Sequence, residues 1–202
     1  MICLLYVLSY TTFTEKTVSL DHAILGLLRE NDMSGYDLKR QAFDGGVSHI
    51  WNADQAQIYR TLERLSARKF VSAKRVRQSS RPDRKTYRLT DSGRKELEKW
   101  LATHHSHPAS RNPFMLQMRF AEDLPDQALS EVILLERDVL QRRLDDLRAI
   151  KADHARMSPE PLTRRHVLHQ MTLDGAIAQI RSKIDWLDDC MELLGGSCFD
   201  DP

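Results

Sequence analysis

The sequence has few of the residues that build disulfide frameworks, zinc sites and phosphate-binding loops. Its three cysteines, Cys3, Cys190 and Cys198, match neither a paired framework nor a zinc-ligand spacing. Its eight glycines form no G-x-G-x-x-G or P-loop cluster, and neither G-x-S-x-G nor H-E-x-x-H occurs. The sequence therefore predicts a protein of a reducing compartment, with no enzymatic activity and no cofactor.

Metal-binding and membrane-spanning patterns are missing too. The histidine groups, His104, His105 and His107 and then His166 and His169, have no zinc-ligand spacing. The apolar N-terminal run MICLLYVLSY is only about ten residues long, against the roughly 20 that span a bilayer, and no basic region precedes it. We expect residues 1–17 to form an arm that packs on another part of a cytoplasmic protein, with no bound metal and no membrane partner.

Charge is distributed unevenly along the chain. The formal net charge is +1, but residues 60–99 hold 14 Lys or Arg against five Asp or Glu, a net of +9. Residues 102–202 hold 12 against 17, a net of −5. A basic segment beside an acidic half favours a polyanionic partner for the basic segment.

Three helices are predicted ahead of the basic segment. The first follows the apolar spacing of LDHAILGLLRE, and the second begins at Ser34, whose side chain is suited to N-capping with Asp37 three residues later. The third runs from about Asn52 to about Arg68, with Asn52 or Asp54 as its cap and Ile58, Leu62 and Leu65 on its buried side.

The other face of the third helix has the composition of a DNA-reading surface. At 100° per residue it groups two alanines with polar side chains: Ala53, Ala56, Gln57, Arg60 and Arg64. Alanines permit close approach, and Gln and Arg bind base edges in the major groove. The alternative interpretation is an ordinary solvated helix face.

A basic hairpin is predicted next. FVSAKRVR and KTYRL alternate like strands around the turn residues QSSRPDR, and Thr90 caps a fourth helix, DSGRKELEKWL. Three helices, a hairpin and a helix form the order of a winged helix-turn-helix. The hairpin is rich in residues that neutralise phosphates, although a solvated loop is the alternative: Arg75, Arg77, Arg81, Arg84 and Lys85.

Three blocks of this region, SGYDL, QIYRTLERLSARKFV and RKTYRLTDSGRKEL, resemble the PadR family of transcriptional regulators in order and spacing. The resemblance implies that Ser34 and Tyr36 lie near the DNA backbone. It also places Gln57, Tyr59 and Arg60 on the recognition helix. This chain has Arg60 where many members have proline, so the resemblance implies no particular base preference.

The second half is predicted to be helical. THHSHPASRNP reads as a linker, and a long helix is expected from about Asp126 to about His154. The last helix carries seven apolar residues at a mean spacing of 3.5, which we call the α7 seam: Leu173, Ile177, Ile180, Ile184, Leu187, Met191 and Leu194. We expect the seam to form a homodimer, since two helices cannot bury all of this surface against each other. The alternative is that it packs on the winged helix of its own chain.

The order FMLQMRF, long helix and TLDGAIAQIRSKIDWLDDCMELL resembles the helical C-terminal domain of AphA-like virulence activators, a PadR subgroup. That resemblance implies a dimer whose winged helices straddle a pseudo-palindrome. The predicted fold is mainly α with a small β-hairpin, divided into an N-terminal arm (1–17), a winged helix-turn-helix (18–103), a linker (104–113) and an antiparallel helical dimerisation domain (114–202).

The predicted function is a DNA-binding transcriptional regulator, expected to be a repressor. A protein–protein adaptor with a passive winged helix is the alternative, which the +9 segment disfavours. A small-molecule effector is a further expected partner. Four large side chains are candidates to line its pocket, with plain core packing as the alternative: Trp51, Trp100, Phe114 and Met118.

Overall fold

The computed structural model describes residues 20–76, 84–105, 112–157 and 161–195. The chain divides into two compact units, Met1–Ser110 and Arg111–Pro202. The predicted N-terminal arm, Arg77, Arg81 and most of the predicted linker lie outside the described residues. No helix in the described ranges is long and apolar enough to cross a membrane.

The first unit contains four α-helices and three short strands in its described part. Its elements in order are α1 (Leu20–Glu30), β1 (Met33–Ser34), α2 (Gly35–Asp37, continuing as a π-helical segment, Leu38–Gly46), α3 (Gln55–Ala67), β2 (Val71–Val76), β3 (Arg84–Leu89) and α4 (Asp91–Leu101). The fold class predicted from the sequence is confirmed. The short strand β1 and the π-helical segment were not predicted.

The strands form one antiparallel sheet in the order β1–β3–β2. β2 and β3 pair from Val71 opposite Leu89 to Val76 opposite Arg84, and this hairpin is called the wing below. β1 pairs with β3 through Met33 and Ser34. The wing is therefore attached to the start of α2 as well as to the end of α3.

Local capping explains where the helices begin. Asp54 caps α3 and Thr90 caps α4, each accepting a hydrogen bond from the backbone three residues on. The end of α3 is tied to the start of α4, because Thr90 Oγ1 donates to the Phe70 carbonyl at 3.0 Å. Gly93 allows this close approach, since a Cβ there would lie 2.1 Å from the Phe70 carbonyl oxygen.

The core of the first unit includes Ile24, Ile58, Leu62 and Leu65, which were predicted to face inward, and Leu25, which was not. All five are fully buried. One prediction is wrong: Ala53 is buried in this core and precedes α3, so it is not part of the exposed face of that helix. The helix begins at Gln55, three residues later than the earliest predicted start.

The second unit is a helical hairpin with a short leading helix. Its elements are α5 (Pro113–Arg119), α6 (Asp126–Met157) and α7 (Arg164–Gly195). Two ion pairs connect the long helices, Arg137 with Asp188 and Lys151 with Asp174. Because Arg137 precedes Lys151 while Asp188 follows Asp174, the pairs fit an antiparallel arrangement.

Four of the seven α7 seam residues are buried inside this hairpin, and the other three are partly exposed. Leu173 and Leu187 are fully buried and Ile180 and Ile184 nearly so, in one cluster with apolar residues of α6. The rest of the seam, Ile177, Met191 and Leu194, packs against the same cluster. A side chain enclosed within one chain has no surface left to bury against a second, so the buried seam residues form a core and not a dimer interface.

Candidate nucleic-acid interface

The exposed face of α3 presents two of the predicted base-reading side chains. Gln57 and Arg60 are both exposed, with exposed Ala56 beside them. Gln57 also belongs to the capping box: its backbone N–H donates to Asp54 Oδ1 at 2.7 Å, and its Oε1 accepts from the Asp54 N–H at 3.2 Å. The cap holds the Gln57 side chain over the first turn of α3, with its amide nitrogen unused by the cap.

The start of α2 is packed tightly against α3. A Cβ on Gly35 would lie 2.6 Å from Cε1 of Tyr59, so only glycine leaves room for that ring. Tyr59 is about two-fifths exposed and Tyr36 about half exposed. Their rings thus lie on an accessible surface at the junction of the two helices.

Ser34 lies at the same junction, but its side chain is not presented to the surface. It is only 4% exposed, and its hydroxyl both donates to Asp37 Oδ2 at 2.8 Å and accepts from the Asp37 N–H at 3.2 Å. The resemblance implied that Ser34 lies near the DNA backbone, but its side chain is occupied by the cap of α2. Ser34 caps α2, and thereby fixes where Tyr36 projects.

Arg64 was predicted to read DNA, yet its guanidinium is bound within the protein. Nε donates to Asp21 Oδ2 at 3.3 Å and Nη2 pairs with Asp21 Oδ1, while Arg68 Nη1 lies 3.6 Å from the same carboxylate. The hydrogen bond that Arg64 donates to Asp21 raises the pKa of Arg64. Arg64 therefore joins α3 to α1, and sequence reasoning missed Asp21. The available signal was an acidic residue on the apolar stripe that continues through Leu25 and Leu28.

The wing pairs two basic positions. The strand register sets the backbone of Arg75 directly opposite that of Lys85. The exposed ammonium of Lys85 lies 5.1 Å from the centre of the Tyr87 ring, which is itself buried. The backbone of Arg84 belongs to β3, but its side chain lies outside the described part.

One basic residue of the wing is already neutralised. Arg88 Nε donates to both carboxylate oxygens of Asp32, at 2.9 and 3.2 Å. This hydrogen bonding raises the pKa of Arg88. The pair joins β3 to the segment before β1, so the Arg88 guanidinium is already bound within the protein.

The four residues expected to line an effector pocket are divided between the units. Trp51 and Trp100 pack on the core of the first unit, and Phe114 and Met118 on that of the second. Trp100 stacks between His22 and His105, with ring centres 4.9 and 5.1 Å away. In the described ranges, no group of three or more His, Cys, Asp or Glu side chains is arranged to hold a metal.

Taken together, a helix with exposed Gln57 and Arg60 and an adjoining basic wing define a winged-helix protein of the nucleic-acid-binding class. The chain matches the model of the "Transcriptional regulator PadR-like family" over residues 24–99 and that of "Virulence activator alpha C-term" over residues 110–195.

Several relatives are similar over nearly their whole length. The negative transcriptional regulator PadR of Bacillus subtilis is 31% identical over 180 residues, which cover 87% of this chain and 97% of that protein. A probable transcriptional regulator of Mycobacterium tuberculosis is 34% identical over 187 residues, covering 88% and 98%. The chain therefore belongs to the PadR family of transcriptional regulators, and the resemblance found in its sequence is confirmed.

Solved structures agree with this assignment. The crystal structure of Bacillus subtilis PadR with operator DNA has a TM-score of 0.76 and 28% identity, covering 87% of this chain and 98% of that one. The Vibrio cholerae virulence activator AphA, at 22% identity and a TM-score of 0.69, covers 88% and 99% and supports the fold of both units.

Proposed function

We propose that this chain is a sequence-specific DNA-binding repressor that acts as a homodimer on a pseudo-palindromic operator. The observation that carries the proposal is the exposed surface formed by Gln57, Arg60 and the adjoining basic wing. The Bacillus subtilis relative is named a negative regulator and has been crystallised with operator DNA, which supports repression and duplex binding.

Within this proposal α3 reads bases and the wing holds phosphates. Arg binds the O6 and N7 of guanine with two hydrogen bonds, and Gln binds adenine in the same way. Exposed Lys85 is a point charge suited to a phosphate, whose neutralisation releases counterions. Tyr36 and Tyr59 lie at the border between these two kinds of contact. Arg77, Arg81 and Arg84 are assigned to the wing contacts by their sequence positions alone.

The test is selection of bound sequences from a random duplex pool, followed by two variants. We expect an inverted repeat to be enriched. Arg60→Ala should cost roughly 1–3 kcal/mol at the selected site and relax the preference at one base position. Lys85→Ala should weaken selected and scrambled duplexes alike and lower the salt slope by about one. Binding that does not change with salt would favour the protein–protein adaptor instead.

The homodimer needs a surface other than the α7 seam, and α6 offers one. Four exposed apolar residues repeat along its length, on a face roughly 110° around the helix from the buried Ile133 and Leu140: Leu135, Val139, Ile150 and Met157. A second copy of the chain would cover this stripe. We therefore assign dimerisation to the outer face of α6.

A paired substitution distinguishes this surface from the core. The double variant Leu135→Glu/Val139→Glu should be a folded monomer by light scattering at micromolar concentration, with its helical circular dichroism retained. Ala152→Glu, an exposed position on the same helix away from the stripe, is the matched control and should remain dimeric. A dimer that survives the double substitution would assign the interface to another face.

We also propose that a small molecule regulates the protein. The support is a relative: Bacillus subtilis PadR, 29% identical, has been crystallised with p-coumaric acid. If this chain responds in the same way, an aromatic carboxylic acid should lower its affinity for the selected duplex. Titration of p-coumaric acid against the protein–DNA complex tests this, and unchanged affinity at millimolar ligand would rule out that compound class.

A further inference from the structure

Arg40 and Tyr36 form a pair on the surface of α2 that sequence reasoning did not identify. Arg40 Nη1 donates a hydrogen bond to the phenol oxygen of Tyr36 at 3.0 Å, and both side chains are exposed. The residues are four positions apart, so the helix places them on one face. The pair is therefore a local feature of α2, available to a ligand.

The charge of Arg40 is not neutralised by a carboxylate in the described residues, whereas the charge of its neighbour Lys39 is neutralised by one. Lys39 forms an ion pair with Asp44, and Arg64 and Arg88 are paired with Asp21 and Asp32. Arg40 instead has an uncharged partner, the phenol of Tyr36. A guanidinium has five N–H donors, so one hydrogen bond to Tyr36 leaves others for an anion.

The pair also lies beside the surface assigned to DNA. Gly35, next to Tyr36, is in contact with the ring of Tyr59, and Tyr59 is followed by Arg60 on α3. The capping box of Ser34 and Asp37 fixes the start of α2 and so the direction of Tyr36. A duplex bound by α3 would thus bring a strand of its backbone past this end of α2.

We propose that Arg40 and Tyr36 together bind a single phosphate of the DNA backbone. The phenol accepts from Arg40 and keeps its own O–H, which it donates to a phosphate oxygen. A second N–H of the guanidinium donates to the same phosphate in a charge-assisted hydrogen bond. The contact carries no base information and fixes the position of α3 along the groove. The inference rests on the proposed DNA-binding function.

Three variants test the pair. Arg40→Ala should weaken the selected and scrambled duplexes alike, about tenfold or more at low salt, and lower the log–log salt slope by about 0.9. Tyr36→Phe should weaken both duplexes while leaving the slope unchanged, because no charge is removed. Lys39→Ala is the matched control: its ammonium is already paired with Asp44, so its effect should be several-fold smaller than that of Arg40→Ala.

Duplexes with one neutral methylphosphonate linkage locate the contact. A methylphosphonate at one particular linkage should weaken binding by the wild-type protein but cause little further loss of binding by Arg40→Ala or Tyr36→Phe. The linkage with this effect should be the same for both variants. The inference fails by itself if the wild-type protein binds DNA and Arg40→Ala keeps its salt slope, or if the two variants respond to different linkages. If the wild-type protein binds no duplex, the proposed function fails with it.

Discussion

Arg64 on α3 binds Asp21 on α1 through two guanidinium nitrogens, and the carboxylate is almost completely buried while the guanidinium is half exposed. The pair fixes α3 to α1 from the side of the helix that also carries Arg60. Two arginines four residues apart therefore have different tasks: one holds the helix in the unit and the other faces outward.

Substitution of Arg64 should affect stability and not base preference. We expect Arg64→Ala to lower the free energy of unfolding by about 1–2 kcal/mol, because a buried carboxylate loses its main partner. The cost stays below that of a fully buried pair, since Arg64 is half exposed and Arg68 remains 3.6 Å away. Urea denaturation measures the change, with Arg60→Ala as the control that leaves stability nearly unchanged. Altered base preference in Arg64→Ala, with wild-type stability, would restore the role predicted from the sequence.

Leu173 should behave as a core residue of a single chain. Leu173→Ala should lower the free energy of unfolding by about 2–5 kcal/mol, because the side chain is fully buried and its removal leaves a cavity. Leu168→Ala, an exposed position one turn before it on α7, should change it by less than about 0.5 kcal/mol. The free energy of unfolding should be measured at several protein concentrations. A loss of stability in Leu173→Ala that disappears on dilution would place Leu173 at the interface between chains.

Stability should fall in mild acid because of His22. Burial lowers the pKa of His22 below its ordinary value, against the raising effect of Glu96, which lies 3.6 Å away. Below about pH 6.5 the unfolded chain therefore binds a proton that the folded chain does not, so the free energy of unfolding decreases as the pH falls through this window. Asp21 and Arg68 also lie close, and both belong to the same network.

A comparison of variants isolates this effect. In His22→Gln the decrease between about pH 6.5 and pH 5 should be shallower than in the wild-type protein. His104→Gln, which removes an exposed histidine of the same unit, should retain the wild-type slope. Identical slopes in all three proteins would show that another group governs the acid response.

Replacement of Lys69 by glycine should increase the stability of the protein. It follows the end of α3 with φ at 60°, in the left-handed region, where a side chain costs roughly 1–2 kcal/mol. Glycine adopts this conformation freely but loses more entropy on folding, so Lys69→Gly should stabilise the protein by about 0.5–1 kcal/mol. Ala67→Gly, at the last residue of α3, is the opposite control and should destabilise it by a similar amount. Thermal or urea denaturation of the two variants provides the comparison.

Much of the fold could be predicted because its signals are local. Thr90 and Asp54 cap helices by accepting hydrogen bonds from a backbone N–H three residues away, so the local sequence is sufficient to predict these caps. The apolar period of α3 likewise predicted which of its residues face inward. The strand β1 was missed because it has only two residues, and its pairing with β3 joins positions more than 50 residues apart.

The candidate site was predicted only in part, and Gln57, Arg60 and Arg64 show why. Helical periodicity placed all three on one exposed face, and the structure agrees for Gln57 and Arg60. Helical periodicity alone cannot show that Arg64 binds Asp21, because that contact depends on how α1 packs across α3. Arg40 was missed for a different reason: it has helical spacing from Tyr36, which the resemblance had placed near the DNA, but the neutralisation of the neighbouring charges becomes visible only from their ion pairs.

The sequence by itself determined the order of the main helices and the wing hairpin, the family, the positive charge of the wing and the apolar face of α3. Hydrogen bonds within a few residues, helical periodicity and charge composition need no knowledge of distant neighbours. The tertiary structure decided what each face meets. It turned the α7 seam inward onto α6, bound Arg64 to Asp21, enclosed Ser34 in its cap and left Arg40 beside a phenol. Such outcomes depend on contacts between residues far apart in the chain. A periodic pattern indicates that one face of a helix will be buried, but it does not indicate which element will pack against that face.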